Sequence, residues 1–300
     1  MTDLSKLKRN YDLSLKKLEN RPEAFRSDTY DVYFKDAIFQ EEIVLKMSPE
    51  DLESYDEGAG GELKEHLNGQ PASMSSVASS SRFCYLSLKD TDFKVFGISN
   101  IKHRRKFEQK LPIVRGTPPH MDCYAECENE LCFFECKCHE QFDSHQIILS
   151  ESYFSKDRIV TKIPDKYFLE KHKKITTDER VSYCNVISPE AFGLTRDPRF
   201  DVKQFLTHIM GISAKQKKLC TLQKTTIPAR LIYFYFIPDA VLESNKDIEN
   251  VISQLYKEIK TVFDSQIIKN NVKNMAFELY VQFSNCVATA SENNVRRIKL

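Results

Sequence analysis

Three residues in one short stretch could do chemistry together: Asp122, Glu135 and Lys137. Two largely apolar runs, over about 121–127 and 131–138, flank the polar turn Glu128-Asn129-Glu130, which predicts a β-hairpin. Side chains alternate faces along a strand. Asp122, Tyr124 and Glu126 therefore share one face of the first strand, and Leu131, Phe133, Glu135 and Lys137 share one face of the second. A hairpin brings Asp122 beside Glu135 and Lys137. Two converging carboxylates suit Mg²⁺, which takes oxygen ligands and keeps several waters. Such an ion lowers the pKa of a bound water and stabilises charge on a phosphodiester. A neighbouring lysine can orient that water or stabilise the developing negative charge. The competing reading is a surface hairpin with a cross-strand ion pair, and spacing alone leaves both open.

The pattern Asp122 with Glu135-Cys136-Lys137 resembles the PD-(D/E)XK nuclease superfamily. Neighbouring segments extend the likeness: residues 107–112 before the aspartate, Glu140 after the lysine, residues 58–63 and 74–82 upstream, and residues 201–208 and 231–238 downstream. The similarity spans roughly residues 55–240, to bacterial restriction-endonuclease-like proteins whose role is poorly defined. Met121 stands where the family motif often has proline. The resemblance implies an α/β fold: a restriction-endonuclease-like mixed β-sheet flanked by helices, with a helical N-terminal extension over 1–54 and a nuclease domain over 55–300. It implies a Mg²⁺-dependent DNA endonuclease in which Mn²⁺ can substitute, acting in restriction or DNA processing. Asp122, Glu135 and the Cys136 backbone carbonyl would ligate the ion, and Lys137 would position the attacking water. Glu108, Gln204 and Glu62 would support them. For Glu108 an exposed strand charge, and for Glu62 a solvated loop glutamate, are equally open. The partners implied are DNA and, as a homodimer, a second copy of the chain. The alternative is a catalytically inactive nuclease-fold module that binds nucleic acid or another protein.

Composition narrows the classes. With 41% hydrophobic and 29% charged residues in 300, the chain reads as an ordinary globular protein of one extended domain or two small ones. A net charge of +1 means that DNA binding must come from local basic patches. No run approaches the ~20 apolar residues of a membrane span, so no membrane partner is expected. The polar start resembles no signal peptide, and a reducing cytoplasm is the expected location. Of nine cysteines, Cys123, Cys127, Cys132, Cys136 and Cys138 fall on the strand faces opposite Asp122 and Glu135. Their spacings fit paired zinc ligands poorly, so they are expected to be reduced and to pack as small hydrophobes.

The remaining elements must carry this hairpin. Helices are expected over 3–19, over much of 28–54, over 76–90, over 201–212 and over 246–263, and strands over 93–98, 107–112, 230–237 and 275–283. Residues 55–81 carry clustered Gly, Ser and Asn and read as a long loop. No Gly-Lys-Ser/Thr follows its glycines, so it is not a phosphate loop. Residues 141–200 read as polar and mixed, and Lys171-His172-Lys173-Lys174 as a solvated charge run.

Overall fold

The computed structural model describes residues 4–57, 61–66, 68–89, 96, 98, 105–112, 118–150, 163–175, 181–244, 246–272, 276–285 and 295–299. Its frame is a six-stranded mixed sheet in the order β1-β2-β3-β7-β8-β9. The strands are β1 Lys106–Lys110, β2 His120–Glu126, β3 Leu131–Lys137, β7 Ala229–Phe236, β8 Phe277–Ser284 and β9 Val295–Lys299. The first three form an antiparallel meander, β3, β7 and β8 run parallel, and β9 returns antiparallel. Near-continuous apolar sequence in β3 and β7 is what a strand buried on both faces requires, and both are buried along almost their whole length.

Between β3 and β7 the chain builds a second sheet, β4 Ile147–Ser150, β5 Phe168–Ile175 and β6 Val181–Ile187, in the order β4-β6-β5. The polar, mixed sequence of residues 141–200 pointed to no particular element there. Alternation is hidden in β5 because residues 169–173 are exposed on both faces, so no apolar period of two is imposed on it. The strand expected over 93–98 lies mostly outside the described residues.

Helices cover both faces of the main sheet. At the N-terminus lie α1 Leu4–Leu18, α2 Asp36–Glu42 and α3 Pro49–Asp56; α4 Ser80–Leu88 follows. The mostly helical reading of 28–54 is thus met by α2 and α3 with a 3-10 turn, Val44–Lys46, between them, and not over 28–35. Ser48 caps α3, accepting from the Asp51 amide, with Pro49 in the first turn, and Ser79 caps α4. Phe83 of α4 packs on Phe234 and Phe236, with ring centroids 4.8 and 5.0 Å apart. The Tyr11 hydroxyl of α1 donates to the Phe236 carbonyl.

The opposite face lies under α5 Val202–Gln223, which runs eleven residues beyond its expected end. Asp201 caps it by accepting from the Gln204 amide at 2.9 Å. Gly211 lets α5 approach the end of β1, because a Cβ there would sit 2.6 Å from Leu111 Cβ. The remaining helices are α6 Asp239–Ser244, α7 Asp247–Asp264 and α8 Gln266–Val272. In α7, Ile248, Val251, Leu255, Ile259 and Val262 form the buried stripe expected from their spacing. Among the described residues, no helix is long and apolar enough to cross a membrane.

Candidate active site

β2 and β3 pair through Cys123 and Phe134, so the next facing residues are Asp122 and Glu135. They do not close a ladder pair. Asp122 Oδ2 instead accepts from the Cys136 amide at 2.6 Å. The side chain thereby takes a donor of β3 and holds its own carboxylate in the gap between the strands. Glu135 is 1% exposed. Its Oε1 lies 2.7 Å from Lys137 Nζ, whereas Oε2 is buried without a hydrogen-bond partner. Lys137 Nζ also donates to Gln204 Oε1 at 3.0 Å, which ties α5 to the ion pair.

Glu108 lies opposite Asp122 from the other side, between the register pairs Phe107–Cys123 and Gln109–Met121. Its φ of +46° is left-handed, in the middle of a strand. Such a conformation costs a non-glycine residue about 1–3 kcal/mol, and strain of this kind clusters at functional sites. Glu108 Oε2 sits 3.4 Å from His120 Nδ1. Sequence left Glu108 open between a site residue and an exposed charge; it is 8% exposed and faces the site. Glu62 reaches the same neighbourhood, half-buried with Oε2 unpartnered. Burial and then the Glu108 charge raise its pKa, against a hydrogen bond from Ser81.

The electrostatics follow from four acids near one lysine. Burial first, then the charges of Glu135 and Glu108, push the Asp122 carboxyl well above the usual range, against the pull of Lys137 and the Cys136 amide. Burial would lower Lys137, but Glu135, Glu140 and Asp122 outweigh it and hold the ammonium protonated. His208, one turn beyond Gln204 on α5, is 1% exposed. Burial lowers its pKa although Glu135 opposes this. Its Nε2 donates to the His120 carbonyl at 3.0 Å and lies 3.7 Å from Glu135 Oε2, leaving Nδ1 unpartnered.

No protein-family model, curated protein or solved structure matches this chain.

All the residues marked from sequence, Asp122, Glu135, Cys136, Lys137, Glu108, Gln204 and Glu62, fall in this one neighbourhood. His120, His208, Tyr233 and Arg199 were missed. Parallel pairing sets Tyr233 beside Glu135 and Tyr235 beside Lys137, and a pairing between distant strands leaves no local signal. Among the described residues no three of His, Cys, Asp and Glu are arranged to hold a metal ion. A donor set of two carboxylates and one carbonyl still suits Mg²⁺, which is commonly bound through one or two carboxylates and keeps several waters. The orphaned Glu135 Oε2 is the oxygen such an ion would satisfy. The five clustered cysteines are free and buried on the opposite face. Burial raises Cys84 and Cys138, and raises Cys136 to about 12.

Proposed function

We propose that the chain is a Mg²⁺-dependent DNA endonuclease of the PD-(D/E)XK type, built on a restriction-endonuclease-like sheet. One observation carries this reading. Asp122 and Glu135 face each other across a splayed strand pair, with an unpartnered buried oxygen on Glu135 and Lys137 alongside. Asp122, Glu135 and the Cys136 carbonyl would hold the cation, and Mn²⁺ would substitute. The cation supplies a more acidic water and charge for the phosphate.

The protein's own groups then have defined tasks. Lys137, held by Gln204, directs its ammonium at the water and at the charge developing on phosphate oxygen. Glu135 shifts its ion pair with Lys137 as its second oxygen is engaged. His208 is neutral and fixed on the His120 carbonyl, so it lends no proton at neutral pH and walls the carboxylates from solvent. Glu108 and Glu62 add negative potential that favours a cation over an empty site.

The test is cleavage of a broad DNA panel with Mg²⁺, run on wild type and Lys137→Ala together. Wild type should nick DNA and the variant should do so far more slowly. Equal rates would leave a non-catalytic nucleic-acid-binding module as the reading.

A further inference from the structure

Beside Lys137 lies a cavity of about 170 Å³, more enclosed than the two grooves along α7. Its walls come from β3 and the turn that follows it, β7, the chain before α5 and the first turn of α5. Several groups on these walls are buried without partners. The Tyr233 hydroxyl has none, on a side chain only 1% exposed. Arg199 has none at Nε or Nη1. The Arg199 backbone amide is fixed on Glu258 Oε2 at 2.8 Å. That bond anchors the segment without satisfying those two guanidinium nitrogens. Lys137 and Gln204 complete the side that touches the carboxylates.

Two acids also line the cavity, each with one oxygen held by a backbone amide. Glu140 accepts from the Cys138 amide at 2.7 Å, and Asp201 caps α5. One acceptor, Gln141 Oε1, is unpartnered. The unmet demand is therefore for a small group that accepts from a tyrosine and an arginine and offers a hydroxyl in return. Buried polar groups left without partners cost about 1–3 kcal/mol each, so such clusters mark places where a ligand completes the bonding. The volume is below the ~300 Å³ at which drug-sized ligand pockets begin, which excludes a base pair and admits an end group. An internal phosphodiester needs room for chain to leave on both sides, and the narrower opening of this cavity favours an end.

We infer that this cavity receives the terminal phosphate of a nucleic-acid strand, so that the protein engages strand ends bearing a phosphate. The inference rests on the nuclease reading for its substrate class. Arg199 and Tyr233 bind the phosphate, and Gln141 accepts from the P–OH that a phosphate monoester carries in its singly ionised form. The phosphodiester to be cut then lies at Lys137, internal to that end, so the cut remains endonucleolytic and is directed by the strand end.

The experiment separates binding from cleavage. Single-stranded oligonucleotides of one sequence, ending in 5′-phosphate, 3′-phosphate or hydroxyl only, are titrated in EDTA by fluorescence anisotropy. The expected result is about tenfold tighter binding of one phosphorylated end, reduced to the hydroxyl level in both Arg199→Gln and Tyr233→Phe. Melting of each variant reads folding. Tyr233→Phe should melt no lower than wild type, because it removes a hydroxyl that has no partner. Equal binding of all ends overturns the inference, as does a phosphate preference that survives in both variants. A cavity that serves free phosphate would show itself as stabilisation by inorganic phosphate with no preference among strand ends, which also overturns it. Mg²⁺-dependent cleavage is scored separately. Cleavage without end preference removes this inference alone, and end preference without cleavage removes the catalytic reading alone.

Discussion

The two faces of β2, β3 and β7 use the same strands to opposite ends. Behind the site, Cys123, Phe134, Cys136 and Phe234 are fully buried and pack against Phe83, Cys84 and Phe96. In front, the same stretch presents Asp122, Glu135, Lys137, Tyr233 and Tyr235 under α5. Among the described residues the apolar face also carries orphaned polar atoms, at Arg230 beside Cys132, at Gln282 beside Phe234 and at Tyr55. The polar face has them at its centre, on Glu135, His208 and Tyr233. Dense packing on one side fixes the strand positions, and the other side uses that rigidity to keep poorly satisfied groups together. A site assembled on packed strands holds its geometry better than one on loops.

This contrast can be broken most forcefully from the apolar side. Phe234→Ala should cost about 3–5 kcal/mol by chemical denaturation, while any stabilisation by Mg²⁺ persists in the variant. A small loss, or disappearance of the metal effect, would mean that the faces are not separable. Next in size is Lys137→Ala, which should lower the cleavage rate by roughly 10²–10³-fold, the effect of removing one group that stabilises developing charge. Its Mg²⁺-dependent stabilisation should remain, because the lysine does not ligate the ion. Loss of both together would make Lys137 a structural partner of Glu135 and nothing more.

Much of this contrast was legible in sequence because it is local. The period of two separated Asp122, Glu135 and Lys137 from the five cysteines, and the polar turn at 128–130 fixed the hairpin, as the Cys127 amide donating to the Glu130 carbonyl at 2.9 Å bears out. β7, β8 and α7 were equally plain from their patterns. What escaped depends on distant pairing or on exposure. Tyr233 joins the site only because β7 pairs in parallel with β3, and Arg199 only because the chain before α5 folds back on Glu258. β5 escaped because both its faces meet water. The left-handed Glu108 escaped because nothing in Lys-Phe-Glu-Gln-Lys announces a positive φ.

A smaller effect tests whether the polar face wants a cation. Mg²⁺ or Mn²⁺ binding to the folded state alone raises stability by about 2.7 kcal/mol at a concentration one hundred times Kd. Thermal denaturation with and without the ion should show this rise in wild type. The rise should vanish in Asp122→Ala, which loses one of two carboxylates. A rise that survives in Asp122→Ala would place the ion elsewhere.

The smallest expected effect per pH unit is the pH dependence of the metal-free protein, and its sign distinguishes two buried groups of the polar face. Burial, then Glu135 and Glu108, raise Asp122 above its ordinary value of 3.8. Above 3.8 the unfolded chain has released a proton that the folded chain still holds. The folded state then binds more protons, so stability falls as pH rises. The contribution is full below 3.8 and is lost as pH climbs through the raised folded value. His208 acts in the other direction. Burial depresses it below 6.5, so its contribution is full above 6.5 and is lost on acidification. The Asp122 component is isolated by subtracting the stability curve of Asp122→Asn, measured in EDTA, from that of wild type. The difference should slope downward from just above 3.8 toward neutrality, by at most about 1.4 kcal/mol per pH unit for one proton. Saturating Mg²⁺ should flatten it, because a carboxylate held by a cation gives up its proton in the folded state as well. A difference curve that is flat in EDTA would mean that Asp122 ionises as freely as a surface carboxylate, and that the front face carries no electrostatic demand for a metal.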